Sequence, residues 1–404
     1  MIKVFSVSLL LLFAVWGGLL LHNPHGHQRH LFALDRTTFY TDYLYFRDAV
    51  MLPDMYEARV GHWRNSYPAI ALEILRPFEN SRGGALSFML VSGCLFFAAL
   101  FWFAGTLGFN MFDRMMVTCA LAVSWISLRT VERGNSIFVS AALACVFLAW
   151  FRSEVKWKRA VAAVALGASV AIKISPAFLG LLYFLEPIAE GDWRKRYDWL
   201  NVWLCAFVAV GLVVAPFFIW CNGFESIGKW IVGIRNEAEG HFSPWGLQGV
   251  RCALNLLVHK GMVAMQEVAP PLTENHCKIA TAALGLIPLG ALALSGIYRW
   301  CFTRSDRLFF LVVAMLVLCM NSMFYVGVLL FPALVMWLKE VEADGEKVVG
   351  LNALQLGLWL ILLMPIQIVI GGKTMQLSIL FIATWALVVV RLLVCLKRAK
   401  DGLR

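Results

Sequence analysis

Apolar runs recur along nearly the whole chain, and they limit its fold more than any other feature. Hydrophobic residues make up 60% of the 404 residues and charged residues 15%, with a mean hydropathy of +0.74. This composition is too apolar for a soluble domain and is typical of integral membrane proteins. We therefore predict an all-α polytopic membrane protein that forms a single domain over residues 1–404.

Breaks at charged residues, proline and glycine divide the apolar runs into about twelve candidate membrane spans, within a range of about ten to thirteen. The candidate spans are residues 3–21, 86–107, 115–128, 135–151, 160–174, 176–187, 199–220, 278–298, 308–320, 323–338, 350–370 and 375–396. The first span follows Lys3 and has no small-x-small cleavage site behind it. We therefore expect it to stay attached and not to be removed as a signal peptide.

Lysine and arginine concentrate in short loops, which sets the expected orientation. The basic segments are residues 152–159, 193–196 and 299–307 and the tail 397–404. Because basic loops stay in the cytoplasm, twelve spans with both termini cytoplasmic satisfy all of these segments. The longer loops 22–85 and 221–277 then lie outside. Short cytoplasmic loops and the lack of a retention signal favour a bacterial inner membrane.

The charged and titratable residues indicate neither a nucleic-acid surface nor a metal centre. The net charge of +10 is spread over short loops, without a basic face that carries interleaved aromatics, so it indicates topology and lipid contact. Four histidines follow the first span at irregular spacing, namely His22, His25, His27 and His30. They are numerous enough to bind a metal, but their spacing favours a solvated loop rim.

The cysteines give little indication of a crosslink. Ten cysteines form no CxxC pair, and most fall within apolar runs, where they act as small hydrophobic residues. Cys221, Cys252 and Cys277 flank or occupy one predicted outer loop. An oxidising compartment would allow two of them to pair, and the sequence leaves open whether any pair forms.

Carboxylates and aromatic residues come together in the first predicted outer loop, where the sequence TDYLYFRD begins at Thr41. In a helix Asp42, Tyr45 and Phe46 share a face, while Asp48 points elsewhere. A charge placed beside a membrane lies in a low dielectric, which raises both its cost and its usefulness. Asp42 is therefore the first candidate for a catalytic carboxylate.

Burial against aromatic rings would raise the pKa of Asp42 towards the range of a general base, and nearby Arg47 would counter that shift. Asp35 and Asp48 rank below Asp42 as alternative acids. The competing interpretation is an interfacial helix whose aromatic residues lie at headgroup level without a chemical role. The predicted spans carry no acid near the bilayer midplane, which argues against an ion-coupled transporter.

Two cations lie where predicted spans meet the outer side: Lys173, shortly before Pro176, and Arg133, next to Gly134. A cation held at such a position suits a lipid phosphate. Snorkelling to the headgroups is the competing explanation for both.

The second predicted outer loop, residues 221–277, contains the sequence GHFSPWGLQG from Gly240 onwards. Trp245 and the neighbouring turn formers would line a sugar or lipid site, because aromatic faces stack on sugar C–H groups. The preceding residues 227–234 have the pattern of a short amphipathic interfacial helix, so a plain membrane-surface loop is the alternative.

Several short blocks, taken in order, resemble the GT-C class of lipid-linked-sugar glycosyltransferases, and within it glycosyltransferase family 87, which includes polyprenol-phosphate-mannose-dependent mannosyltransferases. The blocks are the acidic region Asp42–Tyr45, Tyr67-Pro68-Ala69 with Pro77, Arg133-Gly134-Asn135, the K-x-x-P segment Lys173–Pro176, and Pro332-Ala333-Leu334, which together cover roughly residues 35–335. Two departures stand out. Ala69 replaces the second proline of the family's YPP block, and the stretch 321–325 lacks the histidine of its Ser-x-x-His-like cluster.

The resemblance implies a GT-C-like fold and inverting transfer of mannose, or another hexose or pentose, from a polyprenyl-phosphate donor to a lipid, glycan or protein acceptor at the outer face. The site residues it implies are Asp42 as general base, Lys173, Arg133 and Arg251 at the donor phosphate, and Tyr45, Tyr67 and Trp245 as the sugar or lipid wall. The chain has no Gly-rich phosphate loop, in agreement with a lipid donor instead of a nucleotide. No cofactor is required, and a divalent metal is not demanded, because protein cations can balance a lipid monophosphate.

Two other functions stay open from the sequence. An envelope polysaccharide polymerase or ligase with a lipid-diphosphate donor would depend on outer arginines instead of one carboxylate. A lipid or sugar flippase, a transporter or a scaffold would keep its function after replacement of Asp42.

Overall fold

The computed structural model describes residues 1–22, 40–52, 54–56, 59–60, 63–64, 66–190, 198–240, 250, 274–298, 300–318, 324–344, 349–364, 369–370, 373–374 and 376–401. Over these residues the chain is helical almost throughout, which confirms the predicted all-α class. Two antiparallel pairs of two-residue strands are the exception, and they join β1 (Arg59–Val60) to β2 (Trp63–Arg64) and β3 (Val369–Ile370) to β4 (Lys373–Thr374).

The α-helices that the structure describes are numbered here in chain order. They are α1 (Ile2–His22), α2 (Thr41–Val50), α3 (Ala69–Glu73), α4 (Arg82–Thr106), α5 (Met111–Ala122), α6 (Trp125–Arg133), α7 (Ile137–Trp150), α8 (Lys156–Ile172), α9 (Leu182–Glu190), α10 (Trp199–Trp220), α11 (Phe224–Gly240), α12 (Glu274–Ile297), α13 (Arg304–Leu318), α14 (Leu330–Asp344), α15 (Val349–Leu363) and α16 (Gln376–Asp401). Two 3₁₀ segments, Ser175–Leu181 and Phe324–Leu329, lead into α9 and α14.

Side-chain caps fix where several helices begin. The Ser81 hydroxyl accepts from the N–H of Gly84 at the start of α4, and the Asn110 side-chain oxygen accepts from the N–H of Asp113 at the start of α5. Each cap satisfies one of the N–H groups that have no partner within the first turn. Gly134 ends α6 in the left-handed conformation, at φ 69°.

Each predicted span overlaps a helix, but the lengths differ from the prediction. Among the described residues, four helical stretches are long and apolar enough to cross a membrane: Arg82–Thr106, Trp199–Trp220, Asn275–Ile297 and Leu380–Lys400. The pair formed by α5 and α6 makes a fifth if it counts as one span, although it bends by 54°. The chain is an integral membrane protein, and the number of twelve spans stays a prediction.

Two predicted spans have the wrong bounds. The span 115–128 is broken between Ala122 and Trp125, where Ser124 donates its hydroxyl proton to the Leu121 carbonyl and so competes with helix continuation. The span 350–370 ends as a helix at Leu363, shortly before Pro365, because the residue ahead of a proline disfavours helical geometry.

The helices α7 and α8 form the centre of the bundle, with α7 packed between α4 and α8 and with α10 on the other side of α8. Ser140 and Ser169 exchange hydrogen bonds between α7 and α8, including a 2.9 Å contact between the two hydroxyl oxygens. Gly167 lets α10 approach closely, since a Cβ there would lie 2.7 Å from the Cys205 carbonyl oxygen. Small residues and hydroxyl pairs are the usual means of bringing membrane helices together. They place the start of α7 beside the end of α8.

The helix α11 is tied to the first predicted outer loop by two polar contacts. Lys229 Nζ lies 2.9 Å from Asp54 Oδ2, and Trp230 donates its indole N–H to the Ser66 carbonyl at 2.9 Å. The Asp54 side chain is buried, which by itself would raise its pKa, but the Lys229 ammonium and the Tyr56 N–H outweigh burial and lower the pKa.

This ion pair predicts an acid-dependent loss of stability. A carboxyl whose pKa is lowered by folding stabilises the protein above its unfolded pKa of about 3.9, and that contribution is lost as the pH falls through the lower folded pKa. We therefore expect Asp54→Asn to melt at a lower temperature than the wild type at pH 7. The gap should begin to narrow as the pH falls below about 4 and should continue to narrow towards the folded pKa. Melting temperatures of both proteins across pH 3–7 check this, and a gap that is the same at every pH contradicts it.

Candidate active site

Residues Thr41–Val50 form the helix α2, the conformation in which Asp42, Tyr45 and Phe46 share a face, and the turn before it is set by backbone contact with α6. Tyr40 has φ 59°, an uncommon value for a residue with a side chain, and its N–H donates to the Glu132 carbonyl at 2.7 Å. Since Asp42 stands in the first turn of α2, this contact brings its carboxylate to the end of α6.

Asp42 is held by two residues from the α6–α7 junction. Arg133 Nη2 lies 2.6 Å from Asp42 Oδ1, and the Asn135 side-chain amide donates to Asp42 Oδ2 at 3.1 Å. The Asp42 side chain is 11% exposed and that of Arg133 35%. A guanidinium and an amide on opposite oxygens fix the orientation of the carboxylate.

A chain of hydrogen bonds continues from Asp42 to Lys173. The Asn135 amide also donates to the Tyr67 hydroxyl at 2.8 Å, and Lys173 Nζ donates to the same hydroxyl at 2.5 Å. The Lys173 ammonium lies 4.2 Å from the centre of the Tyr67 ring. The carboxylate and the ammonium therefore mark the two ends of one polar network, with Tyr67 and Asn135 between them.

Glycine at position 134 is required for this arrangement. Its φ of 69° disfavours any other residue, and a Cβ would lie 2.7 Å from the Tyr43 Cβ. A side chain at Gly134 would thus push α2 away from α6 and separate Asp42 from Arg133 and Asn135.

Arg47 does not act as the sequence predicted. Its guanidinium donates to the Phe78 carbonyl at 2.8 Å and to the Arg76 carbonyl at 3.4 Å, because it points along the opposite side of α2 towards the segment before α4. The charge next to Asp42 is that of Arg133. Arg47 therefore fixes the backbone of the loop.

The other candidate residues from the sequence analysis lie outside this hydrogen-bonded network or outside the described residues. Asp48 is exposed and accepts from the Asn80 amide at 2.5 Å, and the half-buried Tyr45 lies against Phe46, with 5.4 Å between ring centres. The Phe46 ring in turn contacts that of Tyr67, at 4.3 Å between centres. Asp35, Arg251 and Trp245 lie outside the described residues, as do His25, His27 and His30.

Among the described residues, no disulfide joins the two cysteines that flank the second predicted outer loop. These two, Cys221 and Cys277, are not bonded to each other. Cys252, the third member of the predicted set, lies outside the described residues.

Asn135 is the site residue that the sequence did not single out. It appeared only as the last residue of a turn, yet it is fully buried and donates to both Asp42 and Tyr67. Its side-chain oxygen accepts from the N–H of Ile137, the first residue of α7, so Asn135 also satisfies a backbone donor at the start of that helix. Part of this role could have been recognised from the sequence, because asparagine is common at the start of a helix. The hydrogen bonds from its NH₂ group to Asp42 and Tyr67 could not.

The arrangement offers a carboxylate close to a buried tyrosine and a lysine side chain, at one end of a membrane helix bundle. The sequence profile of Glycosyltransferase family 87 matches residues 66–332. The chain belongs to glycosyltransferase family 87. This glycosyltransferase carries Tyr67, Arg133, Asn135 and Lys173 within the matched region, while Asp42 precedes it. No curated protein matches the chain.

Proposed function

We propose that this family 87 glycosyltransferase moves a sugar from a polyprenyl-phosphate donor to an acceptor hydroxyl, with inversion at the anomeric carbon. The observation that supports this proposal best is the hydrogen-bonded chain from Asp42 through Asn135 and Tyr67 to Lys173. It supplies a base for one partner of the reaction and a cation for the other.

In the proposed reaction the ionised Asp42 carboxylate takes the proton of the acceptor hydroxyl. The acceptor oxygen attacks the anomeric carbon while the bond from that carbon to the phosphate oxygen breaks. The products are a glycosidic bond, a protonated Asp42 and a polyprenyl phosphate. A single displacement of this kind inverts the anomeric centre.

Lys173 is the proposed ligand of the departing phosphate, because its ammonium stabilises negative charge that grows as the bond breaks. Tyr67 holds the ammonium by hydrogen bond and ring contact and would form part of the sugar or lipid wall, together with Tyr45 and Trp245. Arg251 is a further candidate for the phosphate. Since Arg133 contacts Asp42 directly, we assign to it the orientation of the base in place of the phosphate role expected from the sequence.

We further propose that the sugar is transferred at the outer face of a bacterial inner membrane, with both termini cytoplasmic. The basic loops support this orientation, since Lys156, Lys158 and Arg304 all lie at the end of the bundle opposite Asp42. The donor would reach the site by lateral diffusion among membrane lipids. Neither a nucleic-acid partner nor a divalent metal is part of the proposal.

The test is a transfer assay with the full chain in lipid nanodiscs. Radiolabelled polyprenyl-phosphate sugars are offered beside polyprenyl-diphosphate sugars and nucleotide sugars, each with and without a chelator and with a panel of acceptors. We expect product from the monophosphate donors, unchanged by the chelator. Product from diphosphate donors alone would show a polymerase or ligase. Movement of lipid across the bilayer without product would show a flippase, and complete loss with chelator would show a metal enzyme.

A further inference from the structure

A cavity of about 650 Å³ opens at the end of the bundle opposite Asp42. It lies between the last turns of α4 and α7, the first turns of α8 and α13, and the side chains of α9 and α14 that face them. The helix α7 starts beside Asn135 and runs 14 residues to Trp150, which lines the cavity. At 1.5 Å per residue the two places are about 20 Å apart.

This cavity is lined by three cationic side chains, Arg152, Lys158 and Arg304, and by one carboxylate, Glu186. The Glu186 side chain is only 3% exposed, and its oxygens lie 3.2 Å from Arg152 Nη1 and 3.3 Å from Arg304 Nε. Arg307, behind the cavity, approaches it to 2.9 Å. One buried carboxylate thus holds several guanidinium groups at the cavity wall, where positive charge exceeds negative charge. Such a cluster favours an anion with several acceptor oxygens, as a phosphate has.

Tryptophan side chains around the cavity indicate its level in the membrane. Trp150 lies edge-on to Trp102, at 4.9 Å between ring centres, and to Trp157, at 5.4 Å. Lys158 Nζ lies 5.7 Å from the Trp150 ring centre and 5.8 Å from that of Trp157. Tryptophan and lysine together are typical of the level at which lipid headgroups meet the hydrocarbon region.

Most of the remaining cavity wall is apolar. Phe103, Leu148, Leu308 and Met336 line it, beside the small side chain of Ala149. A free inorganic anion gains nothing from such a surface. An amphiphile makes two favourable interactions, because its head group contacts the cations and its chain buries apolar surface.

We infer that this cavity binds the phosphate head of a membrane amphiphile together with the first part of its chain. The amphiphile is either an anionic glycerophospholipid or a polyprenyl phosphate, which share this chemistry. The site lies at the basic end of the bundle and is separate from Asp42 and Lys173. Binding there does not depend on the function proposed above.

Two variants of the full chain test the cationic part and the apolar part of the cavity separately. Lys158→Gln combined with Arg304→Gln removes two cations and leaves Glu186 paired with Arg152 and Arg307. Ala149→Trp fills the apolar part without a change of charge. Lys156→Gln is the matched control, because Lys156 is exposed and does not line the cavity. Native mass spectrometry in detergent counts bound dioleoylphosphatidylglycerol, dioleoylphosphatidylcholine and farnesyl phosphate for each variant, with inorganic phosphate as competitor.

We expect both cavity variants to bind dioleoylphosphatidylglycerol or farnesyl phosphate about tenfold more weakly, a loss of about 1.4 kcal/mol, and the control to match the wild type. The phospholipid and the isoprenoid are told apart by which of them binds the wild type more tightly. Equal binding of the phosphatidylcholine, full competition by inorganic phosphate, or unchanged binding in Ala149→Trp would each overturn the inference. If the double variant fails to fold, Lys158→Gln alone and Ala149→Trp give the same decision.

Discussion

Asp42→Asn is expected to lower kcat for sugar transfer by about a hundred- to ten-thousandfold, the usual contribution of a general base. Asparagine keeps the shape of the side chain and can still contact Arg133 and Asn135, but its amide cannot take a proton. Initial rates with the polyprenyl-phosphate donor that supports transfer provide the measurement. The melting temperature should change little, because the loop keeps most of its contacts.

Two companion variants make this result specific. Asp48→Asn is the matched control, since Asp48 is an exposed acid on the same helix whose partner is Asn80, and it should keep wild-type rates. Lys173→Gln should lower kcat, because its cation is needed as charge grows on the phosphate. Full activity in Asp42→Asn would transfer the role of base to Asp35 or Asp48.

The largest expected loss of stability comes from Arg391 in α16. Its side chain is fully buried, its Nη1 lies 3.0 Å from Asp306 Oδ1, and its guanidinium lies 4.5 Å from the Phe309 ring centre. Arg391→Met keeps the length and the apolar contact but leaves Asp306 with one cation fewer. Breaking a buried pair in this way costs about 3–5 kcal/mol. The midpoint of unfolding by sodium dodecyl sulfate, followed by circular dichroism, measures the loss.

Arg76→Met is the control for this change. Arg76 also pairs with a carboxylate, 2.5 Å from Glu73, but its side chain is 53% exposed. Exposed pairs contribute about 0–1 kcal/mol, so the midpoint should barely move. Adding Asp306→Asn to Arg391→Met should cost less than the sum of the two single losses, because the two residues share one interaction. Equal losses of stability in Arg76→Met and Arg391→Met would show that the buried pair stabilises the protein no more than the exposed pair.

Local features of this chain were predictable from its sequence. The positions of the apolar helices follow from hydrophobic runs, and a helix over residues 40–50 was considered because it places Asp42, Tyr45 and Phe46 on one face. The bend between α5 and α6 was missed, because the apolar character continues through Val123 and hides the break that Ser124 introduces.

The pairings in space were beyond the sequence. Nothing near Asp42 indicates that its partners are Arg133 and Asn135, since the nearest cation along the chain is Arg47. Arg391 similarly appears as one arginine in an apolar run, and its partner Asp306 lies in a different helix. Such contacts depend on how helices pack, and a single sequence carries no record of that packing.

The separation of the site residues along the chain has a consequence for biogenesis. Asp42 and Asn135 are 93 positions apart, and Tyr67 and Lys173 are 106 apart. A ribosome that inserts this chain into the membrane releases the loop with Asp42 long before the helices α7 and α8 exist. The nascent chain therefore carries a carboxylate without its partners, and the polar network on which the proposed transfer depends can form only after the central helices have assembled.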